Sequence, residues 1–259
     1  MVKNIEMIQM QKLLSSLKNL KKLGVSTIKK SFEDEGSNFE EVQLVKNLVS
    51  KVGLKLNVKI GGCEAKNDIT NCQKINVDGI IAPMIETPFA FKKFIQSSSK
   101  VTDISLFINI ESKTGLINLK DILSMSNINF LEGVVIGRSD LVNSFGYSPD
   151  YVDSKKIFNK ILDALKNIKK KKLKTKMGGN LTYKSIDIIK YLNKKKLIDS
   201  VETRNVEIPV NQKTLRNMKD IVSDALGFEI LFLDFLKDYQ SNISKELNDR
   251  QEKIKQRIV

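Results

Sequence analysis

From about residue 23 to about residue 210 the chain alternates between short apolar runs and longer stretches with helical spacing, and this alternation constrains the fold more than any other feature. The runs "VSTIKKSFEDEG", "LKLNVKIGG", "VDGIIAPMIET", "DISLFINIES", "LEGVVIGRSDL", "LKTKMGGN" and "IDSVETRNVEI" read as strands. Helices are predicted over 4–22, 38–52, 64–76, 88–97, 118–127, 154–170 and 182–196, and again over most of 211–257. The first has an apolar face of Ile5, Ile8, Leu13, Leu14, Leu17 and Leu20, and Asn38 is placed to cap the second ahead of Glu40 and Glu41. Strands that alternate with helices pair in parallel through right-handed crossovers. Near-continuous apolar strands suit a sheet covered on both faces.

Seven such units with no Pro- or Ser-rich linker between them predict an α/β fold of the TIM (β/α)8 barrel type rather than an open sheet. The length of 259 residues matches the roughly 250 of a one-domain barrel. We expect a single domain over 1–259, with the barrel at about 23–210 and C-terminal helices at about 211–257. The eighth strand has no clear signal. Either a short piece near the N-terminus supplies it, or one strand is irregular or missing.

Charged and glycine residues collect where the apolar runs end. Examples are Glu33 to Glu35, Lys59 with Gly61 and Gly62, Glu86, Glu111, Arg138 with Asp140, Gly178 to Asn180, and Glu202 with Arg204. In a barrel these ends converge on one rim, and active sites sit there. Glu111 closes the run "FINI", and Asp140 follows "GVVIG" on the next strand, so the two side chains can meet. Two carboxylates with the remaining positions left to water and substrate describe a Mg2+ or Mn2+ site. Lys59 is placed to stabilise an enolate beside such a metal. The competing reading is that both acids make ordinary salt bridges on the rim.

Composition excludes several chemistries. The chain has no histidine, which removes Ser-His-Asp and Cys-His arrangements and histidine bases. Cys63 and Cys72 form neither a disulfide framework nor a metal-ligand set. The net charge of +14 includes the patches Lys169–Lys172 and Lys194–Lys196, but no zinc module or aromatic RNA surface accompanies them. We read them as solvated faces, with no nucleic-acid partner. The same charge steers an anionic small molecule toward the rim. No apolar run approaches the roughly 18 residues of a membrane span, and the start "MVKNIEMIQMQKLL" has no apolar signal core. The expectation is a cytoplasmic protein with no membrane partner.

Three segments in order, "GIIAPMIETPFAF", Glu111 in "NIES" and "GVVIGRSDLVNSFG", resemble the HpcH/HpaI aldolase and citrate lyase family. The likeness runs over about residues 24–146, with weaker agreement through 210. It implies a metal-dependent barrel handling the enolate of pyruvate or a related 2-oxo acid or acyl compound. It assigns Glu111 and Asp140 to the metal. Gly137, Arg138 and Ser139 match the loop whose backbone N–H groups hold the substrate carboxylate, and Lys59 stands where the family has a substrate-binding arginine. Lysine keeps the charge but loses bidentate recognition. Glu35 falls nearest to the family's histidine base. Arg138 replaces a small residue or proline, and with Lys59 and Arg204 it suggests extra negative charge on the substrate, as in a sugar acid or a phosphorylated compound. We therefore expect a carbon–carbon lyase of aldolase type. Its rivals are a citrate-lyase-like enzyme acting on an acyl-CoA, and a non-catalytic barrel that binds an acidic ligand.

Two weaker signals remain. The pairs Gly61–Gly62 and Gly178–Gly179 end two strands and either turn the chain or admit a ligand. The stretch Gly227–Leu236, "GFEILFLDFL", is apolar nearly all round. It predicts a core helix, or one buried against a second subunit in a homo-oligomer with C-terminal helix exchange. The charged end "ELNDRQEKIKQRIV" reads as a solvated helix.

Overall fold

Most strands carry outward-facing apolar residues, and those positions decide which face packs on the helices. The computed structural model describes the backbone of residues 2–255 and the side chains of 7–237 and 239. Helix α1 (Val2–Leu23) leads into β1 (Thr27–Ser31), and α2 (Phe39–Lys51) into β2 (Lys55–Lys59). Then follow α3 (Lys66–Ile75), β3 (Gly79–Ala82), α4 (Pro88–Ser97) and β4 (Ser105–Ile110). Short helices α5 (Lys113–Ile117) and α6 (Leu119–Ser124) connect to β5 (Leu131–Gly137). Helices α7 (Arg138–Ser144) and α8 (Lys155–Lys170) precede β6 (Lys174–Gly178), and α9 (Ile186–Lys194) precedes β7 (Ser200–Glu202). The chain ends with β8 (Val206–Pro209), α10 (Gln212–Arg216) and α11 (Met218–Lys255). Asn38 caps α2 as expected, accepting from the Glu41 N–H. The predicted solvated face of Glu246–Val259, and Ile5 on the α1 face, lie outside the described side chains.

Among the described residues the eight strands close into one barrel, with β1 to β7 parallel in chain order. The eighth strand is neither near the N-terminus nor missing. The run "IDSVETRNVEI" is a hairpin, not one strand, and its second arm β8 runs antiparallel to both β7 and β1. The turn at Thr203–Asn205 forms because Thr203 takes both roles. Its N–H donates to the Val206 carbonyl, and its Oγ1 accepts from the Val206 N–H at 3.1 Å. Asn205 continues the ladder onto β1, where its carbonyl accepts from Lys29 N–H and its Nδ2 donates to the Lys29 carbonyl. Because β8 runs down, the chain leaves the barrel at the end opposite the rim. Helix α11 packs along α1 and brings Leu226 and Glu229 to the rim pocket.

The chemistry of the lumen is a second feature that the apolar runs do not show. The outward residues, among them Leu56, Val58, Ile80, Ile108, Val134, Ile136, Val201 and Ile208, make the core between barrel and helices. Inside the barrel the apolar content is a small plug of Ile81, Phe107 and Val135. The rest of the lumen is polar and paired. Glu207 accepts from Lys176 at 2.7 Å, Asn57 at 3.0 Å and Ser200 at 2.9 Å, and Lys176 lies over the Phe107 ring, 3.7 Å from its centroid. Lys29 pairs with Glu202 at 2.5 Å. Glu202 and Glu207 are register partners, so two lysines and two glutamates balance one another inside the barrel.

A third difference concerns "GRSDL". The strand stops at Gly137, and Arg138 already belongs to α7. In Gly227–Leu236, Phe228, Phe232 and Phe235 are buried, whereas Ile230, Leu231 and Leu233 are exposed. No helix among the described residues is long and apolar enough to cross a membrane.

Candidate functional site

A cavity of about 320 Å3 opens at the C-terminal ends of the strands. Lys59, Glu35, Glu111, Gly137, Ser139, Asp140 and Arg204 all line it. Arg138 does not. Its guanidinium is buried and turned along the rim, bonding Asp153 at 2.5 Å, the Gly179 carbonyl at 2.8 Å and the Gly178 carbonyl at 3.2 Å. The reason is local: α7 begins at Arg138, so the side chain departs from a helix start instead of a strand end. Burial lowers the guanidinium's pKa, and the Asp153 carboxylate opposes that shift. Arg138 ties the β6 loop to Asp153 and leaves no fork for a substrate anion.

Glu111 is 2% exposed at the end of β4. Its Oε1 accepts from the Met84 N–H at 3.1 Å. Met84 takes up a left-handed conformation, φ +49°, which is costly for a residue with a Cβ and orients that N–H. Oε2 accepts from Asn109 Nδ2 and, at 3.4 Å, from Lys59 Nζ. Burial pushes the Glu111 carboxyl up from its ordinary value. Lys59 and the Met84 N–H pull it back, and Asp140 adds repulsion. Asp140 lines the same cavity as Glu111. Asn109 Oδ1 is buried with no hydrogen-bond partner. A Cβ at Gly137 would come 2.8 Å from Glu111 Oε2 and 3.2 Å from Asn109 Oδ1, so only glycine leaves that space open.

This donor set suits a hard cation. Two carboxylates and one unpartnered amide oxygen are oxygen ligands of the kind Mg2+ and Mn2+ take, with water completing the shell. Among the described residues no cluster of three or more His, Cys, Asp or Glu side chains could cage a metal, so a closed zinc-type site is excluded there. The Lys59–Glu111 contact at 3.4 Å is longer than the 2.7–2.9 Å usual for a charge-assisted bond, so it does not saturate Oε2.

The remaining rim charges are largely committed to one another. Arg204 pairs with Asp34 at 2.7 Å, and Lys59 Nζ lies 3.6 Å from the same carboxylate. Glu35 bonds Lys30 through Oε2 and Asn205 Nδ2, at 3.0 Å, through Oε1. Both oxygens of the residue nearest to the missing histidine are therefore engaged. Lys30 itself is 1% exposed, with its ammonium 5.1 Å from the centre of the Phe232 ring of α11. Residues with no role in the sequence reading complete the wall: Lys29, Asn109, Glu202 and Glu229. The one signal was alternation at Asn109, a lumen-facing position of the otherwise apolar β4; β1 and β7 hold too few apolar residues to mark Lys29 or Glu202 in that way.

Comparison with solved structures returned the same barrel. The citrate synthase SbnG aligns with a TM-score of 0.61 at 13% identity, covering 81% of this chain and 87% of that one. An HpcH/HpaI aldolase/citrate lyase family protein from Burkholderia cenocepacia J2315 aligns at 0.60 and 12% identity, covering 82% and 90%. The HpcH/HpaI aldolase from Desulfitobacterium hafniense DCB-2 aligns at 0.60 and 10%, covering 81% and 86%. At such identities the likeness is one of fold. A sequence comparison with curated proteins found no match. The model of one family, HpcH/HpaI aldolase/citrate lyase, matches residues 39–177, more than half of the chain and the part that contains Lys59, Glu111 and Asp140. The chain belongs to the HpcH/HpaI aldolase/citrate lyase family.

Proposed function

We propose that the protein is a carbon–carbon lyase of aldolase type, acting with Mg2+ or Mn2+ on the enolate of pyruvate or a related 2-oxo acid. Members of the family are lyases and aldolases, generally dependent on a divalent metal. The observation that carries the reading is the convergence of Glu111, Asp140 and the unpartnered Asn109 Oδ1 in one rim cavity, with Lys59 beside them. The chemistry a bound cation supplies there is Lewis-acid stabilisation of the oxygen on which enolate charge develops. Lys59 adds a point charge against that oxygen or the substrate carboxylate. The start of α7, at Gly137 to Ser139, offers backbone N–H groups without intrahelical partners. Gly137 and Gly178 keep the floor free of side-chain bulk. Arg204 and Lys59, both near Asp34, favour a substrate with a second anionic or polyhydroxylated end, such as a sugar acid.

Mn2+ at about 100 times its dissociation constant should stabilise the wild type by about 2.7 kcal/mol, and should not stabilise Glu111→Ala or Asp140→Ala. A wild type whose melting temperature ignores Mg2+ and Mn2+ would favour a second reading, a barrel that binds an acidic ligand without catalysis. The Lys59–Glu111 contact is the observation on that side. Assembly into a homo-oligomer belongs to the same proposal. It is supported by the exposed Ile230, Leu231 and Leu233 on α11 and is read by sedimentation.

A further inference from the structure

We propose that Glu202 moves the proton in this pocket, in the role no histidine can fill here, with Lys29 as its positioning residue; this rests on the enolate reading above. Glu202 is fully buried at the end of β7 and lines the cavity. Its Oε2 is held by Lys29 Nζ at 2.5 Å. Its Oε1 has no hydrogen-bond partner, and among the described residues it is the one buried carboxylate oxygen so left. An unpaired buried acceptor is destabilising, and a group on the substrate can satisfy it. The other acids of the cavity are engaged differently. Glu35 and Glu111 use both oxygens, Asp34 pairs with Arg204 and Lys59, Glu229 holds the Asn205 N–H at 2.7 Å, and Asp140 belongs to the metal site proposed above.

Position supports the assignment. Gly137 and Gly178 are register partners on β5 and β6 and face the lumen together. A Cβ on Gly137 would come 2.8 Å from Glu111 Oε2, and a Cβ on Gly178 would come 3.3 Å from Glu202 Oε2. The two carboxylates thus flank one floor of two glycines about 4.8 Å apart. A 2-oxo acid with its C2 oxygen toward Glu111 presents C3 on the Glu202 side. There the ionised carboxylate takes a proton from C3. The C–H electron pair becomes the C2=C3 bond, and the carbonyl π pair moves to the C2 oxygen. The reverse step returns the proton to C3. Lys29 occupies Oε2, which leaves Oε1 as the working oxygen. Glu207, the cross-strand neighbour, is neutralised by Lys176 and does not compete for Lys29.

The test is exchange of pyruvate methyl protons in deuterated water, followed by NMR with the Mg2+-loaded protein, beside calorimetric binding of oxalate as an enolate mimic. Glu202→Gln should lose at least about 100-fold in exchange rate while oxalate binding is unchanged. The double variant Lys29→Met/Glu202→Gln, which leaves no lone buried charge, should behave the same way. Exchange at the wild-type rate in Glu202→Gln would overturn the proposal and leave the enolate reading standing. Loss of oxalate binding together with exchange in both variants would overturn it as well, because Glu202 would then be only structural. No exchange in the wild type would overturn the enolate reading itself, and the proposal with it.

Discussion

Replacing Gly137 with alanine isolates the carboxylate site from everything else in the barrel. The backbone at Gly137, φ −87° and ψ 95°, is one an alanine adopts without strain, so the effect is steric. The added Cβ would meet Glu111 Cβ and Oε2 at 2.8 Å each and Asn109 Oδ1 at 3.2 Å. Ordinary contact is about 3.5–4.0 Å, so the Glu111 side chain must move by roughly 1 Å. Overpacking of this kind costs about 1–3 kcal/mol. For a chain of this size that lowers the melting temperature by about 2–12 °C. Because Glu111 is displaced, the stabilisation by Mn2+ should vanish as well. Gly178→Ala is the control, since the nearest atoms its Cβ would meet are Glu202 Oε2 at 3.3 Å and Glu202 Cβ at 3.5 Å rather than those of Glu111. It should melt close to the wild type and keep its response to Mn2+. Differential scanning fluorimetry with and without Mn2+ reads both effects. A Gly137→Ala variant with a full Mn2+ shift would refute the placement of Glu111 in the proposed metal site.

Two other outcomes follow from titratable groups. Burial, reinforced by Asp68, pushes the Cys72 thiol up to about 12, whereas Cys63 is half-buried, so iodoacetamide at pH 8 should label one cysteine in the native protein and two in denaturant. Labelling of Cys72 in the folded state would contradict the packing of α3. Burial pushes the Asp199 carboxyl up, but Lys169 and the Thr175 N–H and Oγ1 outweigh burial and hold it below its ordinary value. Its contribution is therefore present above about pH 3.9 and lost as pH falls through the lower folded value. The side chain is 40% exposed, so solvent screening limits the effect to under about 1 kcal/mol. Asp199→Asn should melt below the wild type at pH 6, with the gap closing below about pH 4; a gap that widens in acid would contradict the pairing.

The order of the elements was legible because the central parallel strands send apolar pairs outward, as Leu56 with Val58, Ile80 with Ala82 or Val134 with Ile136, and helices with apolar stripes follow them. The hairpin was hidden for a physical reason. Its arms Ser200–Glu202 and Val206–Pro209 are too short to show a period of their own, and the turn Thr203–Asn205 contains neither glycine nor proline. The polar lumen was hidden too: Asn57 sits between Leu56 and Val58 and reads as an interruption of a buried strand, and Lys29 and Lys176 each lie in short lysine-rich runs that read as solvated. At the rim, Lys59, Glu111 and Asp140 could be grouped because strand ends converge. The aim of Arg138 could not, since it depends on where α7 begins. The engagement of Glu35 by Asn205 depends on β8, whose place in the barrel was unknown.

The polar lumen also bears on how Glu202 reaches the cavity. Buried ion pairs contribute little net stability against apolar packing, so the outer core of aliphatic residues must carry the fold. What the lumen charges supply is register. Shifting β8 by one residue would turn Val206 and Ile208 into the lumen and Glu207 out of it, stranding Lys176 and Asn57 without their acceptor. The ladder from Asn205 to Lys29 would be lost in the same shift. An antiparallel strand with few ladder bonds is thus pinned by its charges, and the hairpin it closes is the one that carries Glu202. Lys29 serves both ends of this arrangement, through its backbone to Asn205 and through its ammonium to Glu202. A barrel lined with aliphatic residues would hold β8 less specifically and would leave Glu202 without the cation that fixes which of its oxygens is free.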